Sequence, residues 1–237
     1  MPRILPAKSL VCSSRLEDRL RSIGRRRIAG CDEAGRGALV GPLVAAAVIL
    51  NPEADIPGLN DSKKISPAHR TRLADRIRAT AVAFSIVFIE AEEVDRLNVY
   101  QASRQAMLRA LKSLSPRPDS DLPDFVLPDF ILTDAMPLPP AAGPHYALIH
   151  GDARSHTIAA ASILAKVARD EHMQHLDRRY PGYQMAKNKG YGTREHREGI
   201  ERLGPCPEHR RTFRPVLDFL SAGRLPISPQ LLIPTDA

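Results

Sequence analysis

The chain has 237 residues, 43 % hydrophobic and 26 % charged, ordinary values for a soluble globular protein and enough for one substantial α/β domain with appendages. A net charge of +7 suits a polyanionic partner without requiring one. Cys12, Cys31 and Cys206 are odd in number and far apart, which excludes a zinc ribbon and argues against a disulfide framework; no apolar run is long enough to span a membrane, and Met1 to Gly30 lacks a signal-peptide core. The expectation is a cytoplasmic protein in a reducing compartment with no membrane partner.

Residues 1–27 read as a basic leader carrying Arg15, Arg19, Arg21, Arg25, Arg26 and Arg27, with a short helix over Ser13 to Ile23. A solvated leader is the plainer reading, and a phosphate-contacting arm the alternative. Ile28-Ala-Gly-Cys-Asp-Glu33 is a short apolar strand ending in two acids. After a glycine-bearing turn, Leu43 to Leu50 is an unbroken apolar run of strand length, so the two strands predict an antiparallel hairpin. Ser66-Pro67 supplies an N-cap and first-turn proline for a helix to about Ala79. Ala81 to Glu90 alternates and is rich in Val, Ile and Phe, a third strand. Asn98 with Gln101 resembles a capping box for a helix whose apolar face runs from Val99 through Ala102, Ala106 and Met107 to Leu114.

Residues 115–124 form a polar, proline-rich loop, followed by a strand over Phe125 to Asp134 whose first half Pro128 reduces to an edge or lead-in. Ala135 to Pro144 is a second proline-rich loop, and His145 to His150 a short strand. Ser155 or Thr157 opens a long alanine-rich helix to about Arg179. Residues 181–214 read as basic and irregular, and the tail after Ala222 as frayed. The order predicts a mixed sheet with helices on its faces, an α/β fold.

Four acids fall at predicted strand ends: Asp32, Glu33, Asp134 and Asp152. Brought to one sheet edge, they would repel one another unless a cation neutralised them, and hard oxygen ligands select Mg²⁺ or Mn²⁺. Two such ions can activate water and stabilise a leaving oxygen at one phosphate. Acids at strand ends also serve as caps and loop residues, so spacing alone leaves both readings open. Gly35-Arg36-Gly37 would let a ligand approach the backbone, or it is an ordinary hairpin turn; it does not open a helix and is no dinucleotide fingerprint. Asp61-Ser62-Lys63-Lys64 is a phosphate pocket or a solvated loop. His172 and His175 lack further zinc ligands and read as surface residues; His209-Arg210-Arg211 reads as phosphate contacts or solvated basic surface.

Together these pieces resemble ribonuclease HII, the bacterial type 2 ribonuclease H. The matching stretches are Gly30-Cys-Asp-Glu-Ala-Gly-Arg-Gly37, Asn60-Asp-Ser-Lys-Lys64, Leu132-Thr-Asp134, Gly151-Asp-Ala-Arg-Ser155, Ile158 to Lys166, Arg169-Asp170, Tyr180-Pro-Gly-Tyr183, Lys189-Gly-Tyr-Gly-Thr193 and His209-Arg-Arg-Thr-Phe213, in the family's order over residues 28–215. The resemblance implies a ribonuclease H-like fold: a five-stranded mixed sheet flanked by helices, with a C-terminal helical extension. The catalytic domain would cover 28–215, with the leader at 1–27 and a helix end and tail at 216–237. It also implies that Asp32, Glu33, Asp134 and Asp152 hold two Mg²⁺ or Mn²⁺ ions, and that the chain, a monomer, cuts RNA/DNA hybrids and duplex DNA containing a ribonucleotide, 5′ of the ribonucleotide, leaving a 5′-phosphate and a 3′-hydroxyl. Gly35, Arg36 and Gly37 would recognise the 2′-hydroxyl, Tyr191 would pack on the deoxyribose after the junction, and Lys63 and Lys64 would contact phosphates.

The chain departs from the family pattern at Ala38 and His156, where proline is common, at Ala135, where glycine is usual, and at His150, a common lysine position; the 115–131 insertion is long. The alternatives are the type 3 relative, which usually carries an extra N-terminal domain, a catalytically degenerate nucleic-acid-binding module, and a subunit of a heteromer. No clear clamp-binding peptide stands in the last residues.

Overall fold

The structure, a computed structural model, describes residues 10–116 and 122–224. The start of the leader, the centre of the 115–124 loop and the end of the tail lie outside the described residues. In chain order the elements are α1 (Arg15–Ser22), β1 (Ile28–Ala34), β2 (Leu43–Ile49), α2 (Pro67–Thr80), β3 (Ala83–Ile89), α3 (Ala91–Leu97), α4 (Val99–Lys112), β4 (Ser115–Pro116), β5 (Phe130–Asp134), β6 (His145–Leu148), α5 (His156–Arg179), α6 (Met185–Asn188), α7 (Arg194–Leu203) and α8 (Val216–Ser221). The chain packs as two compact units. Met1–Ala34, Val44–Val87 and Ser103–Val167 form the first; Gly35–Leu43, Phe88–Ala102 and Ala168–Ala237 form the second.

One mixed sheet has the order β4-β3-β2-β1-β5-β6. The expected hairpin forms: β1 and β2 are antiparallel, with Asp32 opposite Ala46 and Glu33 opposite Ala45. On its other side β1 runs parallel to β5, with Cys31 opposite Thr133, and β5 runs parallel to β6, with Asp134 opposite Leu148. Five strands match expectation; the sixth, β4, is a two-residue pairing of Ser115 and Pro116 with Phe84 and Ala83, inside what reads as loop. So short a bridge has no periodicity by which a sequence could announce it.

Every residue of β2 is buried, which accounts for its unbroken apolar run. Gly30 lets α5 lie against β1: a Cβ there would come within 2.4 Å of the Thr157 and Ile158 backbone. On the apolar face of α4, Ala102, Ala106 and Met107 are fully buried, as is Leu114 just past its end, while Val99 is half-buried. Asn98 caps α4 by accepting from the Tyr100 and Gln101 N–H groups. Ser66 has the extended backbone of an N-cap before Pro67, but its side chain makes no cap hydrogen bond.

Two readings need correction. Residues 181–214 contain the ten-residue helix α7, started by Thr193, whose hydroxyl accepts from the His196 N–H, and stopped at Gly204. Its buried face is His196, Gly199, Ile200 and Leu203, the helical spacing, but two of those four are not apolar. The leader is not simply solvated: Glu17 of α1 is buried and accepts from the Ser155 and Thr157 hydroxyls and the Thr157 N–H at the start of α5. Ser155 is the N-cap residue, its hydroxyl 3.3 Å from the Ile158 N–H.

Candidate active site

Parallel pairing puts the C-terminal ends of β1 and β5 side by side, with Asp32 near the end of one and Asp134 at the end of the other. The chain leaving β6 turns back through His150, in the left-handed region at φ 57°, into the short 3₁₀ turn Gly151–Ala153 that carries Asp152. The Gly151 N–H donates to the Asp134 carboxylate at 2.7 Å, fixing the turn to the strand end. A Cβ on Gly151 would strike Ile158 at 2.6 Å. The result is one group: carboxylate oxygens of Asp32, Asp134 and Asp152 lie within 4.8 Å of one another.

Asp32 and Asp152 are buried and Asp134 half-buried. Burial raises the Asp32 pKa well above the carboxylate range, with Glu33 and Asp134 adding to it and a hydrogen bond from Ser162 of α5 opposing. Burial also raises Asp134, against the Gly151 N–H and the charge of Lys63. Asp152 is pushed up to about 6 by burial, then by Asp134 and Asp61. Three carboxylates that resist ionising together, with only oxygen donors, fit a hard divalent cation.

Glu33 lies outside that group of three. Successive strand residues point to opposite faces; Asp32 meets Ser162, whereas Cys31, on the Glu33 face, has its sulfur 3.9 Å from the Met107 carbonyl of α4. The Glu33 N–H donates to Asp32 at 2.7 Å. Lys63 and Lys64 are exposed in a 3₁₀ turn capped by Asp61, which accepts from the Lys63 N–H. Burial lowers the Lys63 pKa, but Asp152, Asp61, Asp32 and Asp134 outweigh it and hold the ammonium above its ordinary value. Lys63 is a cation beside the acidic group, and Asp61, which raises Asp152, is a neighbouring acid that the sequence reading placed in a phosphate pocket or solvated loop and not with the four acids.

Gly35, Arg36, Gly37 and Tyr191 belong to the second unit. Gly35 has φ 91°, and a Cβ there would meet the Arg169 side chain at 2.0 Å, so only glycine fits. Tyr191 is 42 % exposed; its ring lies 5.8 Å from the Arg169 guanidinium and 3.9 Å from where a Gly37 Cβ would stand. Behind this loop are two buried arginines. Arg169 donates to the carbonyls of Pro42, Lys189 and Val40; Arg210 donates to those of Gly41 and Arg36. Burial lowers both, Arg210 to about 9 with Arg169 adding to the effect. The basic-surface and phosphate-contact readings of His209-Arg210 are therefore overturned: both are buried, and only Arg211 of the three is exposed. His172 is partly buried beside Phe88, ring centroids 5.6 Å apart.

A family model described as Ribonuclease HII matches residues 29–216. The chain is 51% identical over 209 residues to a ribonuclease HII of Geobacillus kaustophilus, covering 88% of this chain and 76% of that one. It is 53% identical over 205 residues to a ribonuclease HII of Solibacter usitatus, covering 86% and 85%. Ribonuclease H2 from Pyrococcus horikoshii shares the fold at a TM-score of 0.69, with 24% sequence identity over 83% of this chain and 98% of that one. The type 3 alternative is thereby set aside. Matched across nearly its whole sheet and both units, the chain belongs to the ribonuclease HII family and is a metal-dependent endoribonuclease with ribonuclease H activity on RNA/DNA.

Proposed function

We propose that this ribonuclease H nicks the strand on the 5′ side of a ribonucleotide, both in RNA/DNA hybrids and at single ribonucleotides within duplex DNA, leaving a 5′-phosphate and a 3′-hydroxyl. The observation that carries the metal chemistry is the convergence of Asp32, Asp134 and Asp152 within 4.8 Å. Asp32, Asp134 and Asp152, together with Glu33 next to Asp32 in the chain, would hold two Mg²⁺ or Mn²⁺ ions. Such ions, when bound, activate the attacking water and stabilise the leaving oxygen. Gly151 holds the Asp134 carboxylate, and Ser162 the Asp32 carboxylate, in place for that role. Lys63, the cation beside the acids, and Lys64 hold phosphates of the cut strand.

Recognition falls to Gly35, Arg36 and Gly37 at the 2′-hydroxyl, the group that separates RNA from DNA, and to Tyr191 on the following deoxyribose. The exposed tyrosine ring beside a glycine without a side chain supports this reading. The protein is proposed to act as a monomer in a reducing cytoplasm, in keeping with three free cysteines; no described helix is long and apolar enough to cross a membrane. The test is cleavage of a labelled DNA duplex with one ribonucleotide, in Mg²⁺, Mn²⁺ or chelator. A metal-dependent nick 5′ of the ribonucleotide is expected. Binding without a nick under any metal would favour a degenerate binding module or a missing partner subunit.

A further inference from the structure

The Tyr191 backbone is held by a chain of buried imidazoles. Its carbonyl lies 2.9 Å from His196 Nδ1; His196 Nε2 lies 3.1 Å from His209 Nε2; His209 Nδ1 lies 3.0 Å from the Cys206 backbone nitrogen. Both histidines are buried, at 0% and 2% exposure, and Tyr183 packs on both rings. The two ends of this chain have known polarity. A carbonyl only accepts, so His196 Nδ1 must carry a proton. A backbone N–H only donates, so His209 Nδ1 must be bare, and the Cys206 sulfur, 3.1 Å from the same nitrogen, can meet it only through its S–H. The neutral rings then have one arrangement: the Cys206 N–H donates to His209 Nδ1, His209 Nε2–H donates to His196 Nε2, and His196 Nδ1–H donates to the Tyr191 carbonyl. A second proton on either ring would set two N–H groups against each other. Burial keeps both rings neutral, lowering His196 and pushing His209 down to about 3.

The relay ties the exposed Tyr191 of this loop to buried side chains of the second unit. Tyr191 sits between short turns: its N–H donates to the Asn188 carbonyl, and its carbonyl also accepts from the Thr193 N–H. Those local bonds fix the turn to itself; the His196 bond fixes it to α7, and through His209 to the segment that also carries Arg210. We propose that His196 and His209 are positioning residues which, through this directional relay, fix the Tyr191 ring for the deoxyribose that follows a ribonucleotide. The inference rests on the reading of Tyr191 as a substrate contact. It predicts a selective effect: a substrate that offers a deoxyribose after the ribonucleotide depends on the relay, and an all-RNA strand depends on it less.

The test uses the full chain with Mg²⁺ and compares kcat/KM on a DNA duplex containing one ribonucleotide with kcat/KM on an all-RNA strand paired with DNA. Tyr191→Ala, His196→Leu and His209→Leu are each expected to lower that ratio, the histidine variants by about threefold to tenfold, the range for residues in contact. His196→Asn, whose amide N–H stands near the Nδ1 position, is expected to retain most of it. In Tyr191→Ala/His209→Leu the histidine change is expected to add nothing. Long-range ¹H–¹⁵N spectra of the unmodified protein are expected to show His196 protonated at Nδ1 and His209 at Nε2, a readout that survives if a variant fails to fold. The opposite tautomers, equal loss in His196→Asn and His196→Leu, or additive loss in the double variant would overturn the relay. A lowered ratio in Tyr191→Ala with unchanged His196→Leu and His209→Leu would overturn the relay alone. An unchanged ratio in Tyr191→Ala would overturn the reading of Tyr191 and the relay's role with it.

Discussion

At the residue scale, the acids combine ligand chemistry with repulsion. Asp134→Asn keeps the shape and the acceptor for the Gly151 N–H but weakens the metal site. Cleavage is expected to fall by about 10³-fold or more, equivalent to the several kcal/mol that metal catalysis supplies, while duplex binding in a gel-shift assay stays within a few-fold. Equal loss of both would mark Asp134 as structural. The raised pKa values also set a pH dependence. Asp152 ionises at about 6 in the folded chain, above its ordinary value, so the folded state favours the protonated carboxyl. This contribution is fully present below about pH 4 and is lost as pH rises through about 6. In chelator, the melting temperature is therefore expected to lose this contribution across that window, and the increment from added Mn²⁺ to grow. A metal increment independent of pH would contradict the assignment. Ala135 holds a left-handed backbone at φ 51°, the region that favours glycine. Ala135→Gly is expected to stabilise the fold by up to about 1 kcal/mol, seen as a rise in melting temperature.

At the scale of elements, the long helix α5 depends on a residue distant in sequence. Glu17 receives three hydrogen bonds from Ser155 and Thr157, where the helix dipole also favours an anion. Glu17→Ala strands these donors and is expected to cost about 3 kcal/mol, lowering the melting temperature by roughly 6–12 °C. Glu17→Gln, which keeps an acceptor oxygen, is expected to lose less; equal loss in both would point to packing. Nothing near Glu17 in the sequence announces this contact, because its partners lie 138 and 140 residues away. Five of the six strands were legible, since apolar runs of strand length carry their own signal. Helix α7 had a signal too, a threonine cap and a terminal glycine, but His196 and Gly199 on its buried face do not read as core.

At the scale of the whole molecule, the excess of seven positive charges gives binding a dependence on salt. Lys63→Ala is expected to reduce the slope of log affinity against log salt by about 0.9, the signature of one phosphate contact. An unchanged slope would remove Lys63 from the interface. The acids were legible in sequence because each lies near the end of a strand or follows one, and parallel pairing of β1 with β5 and of β5 with β6 then gathers three of them. The buried residues behind the Gly35–Gly37 loop were not. His209 and Arg210 read as phosphate contacts or solvated basic surface, since buried charge is uncommon; the partners of Arg210 are backbone carbonyls and those of His209 are the Cys206 N–H and the His196 ring, which no side-chain pattern reveals.

The inward-facing arginines have one more consequence. A trans peptide is planar, and its C=O and N–H point in opposite directions. Once Arg210 holds the Arg36 carbonyl, the N–H of the next residue, Gly37, is aimed the other way. Under the role proposed for this loop, its polarity toward a ligand is set from behind: one peptide plane is pinned with its N–H turned away from Arg210, and a group meeting that N–H would bring a lone pair. A substitution at Arg210 would release that plane to rotate, so that a carbonyl could take the place of the N–H even where every other residue of the loop stays the same.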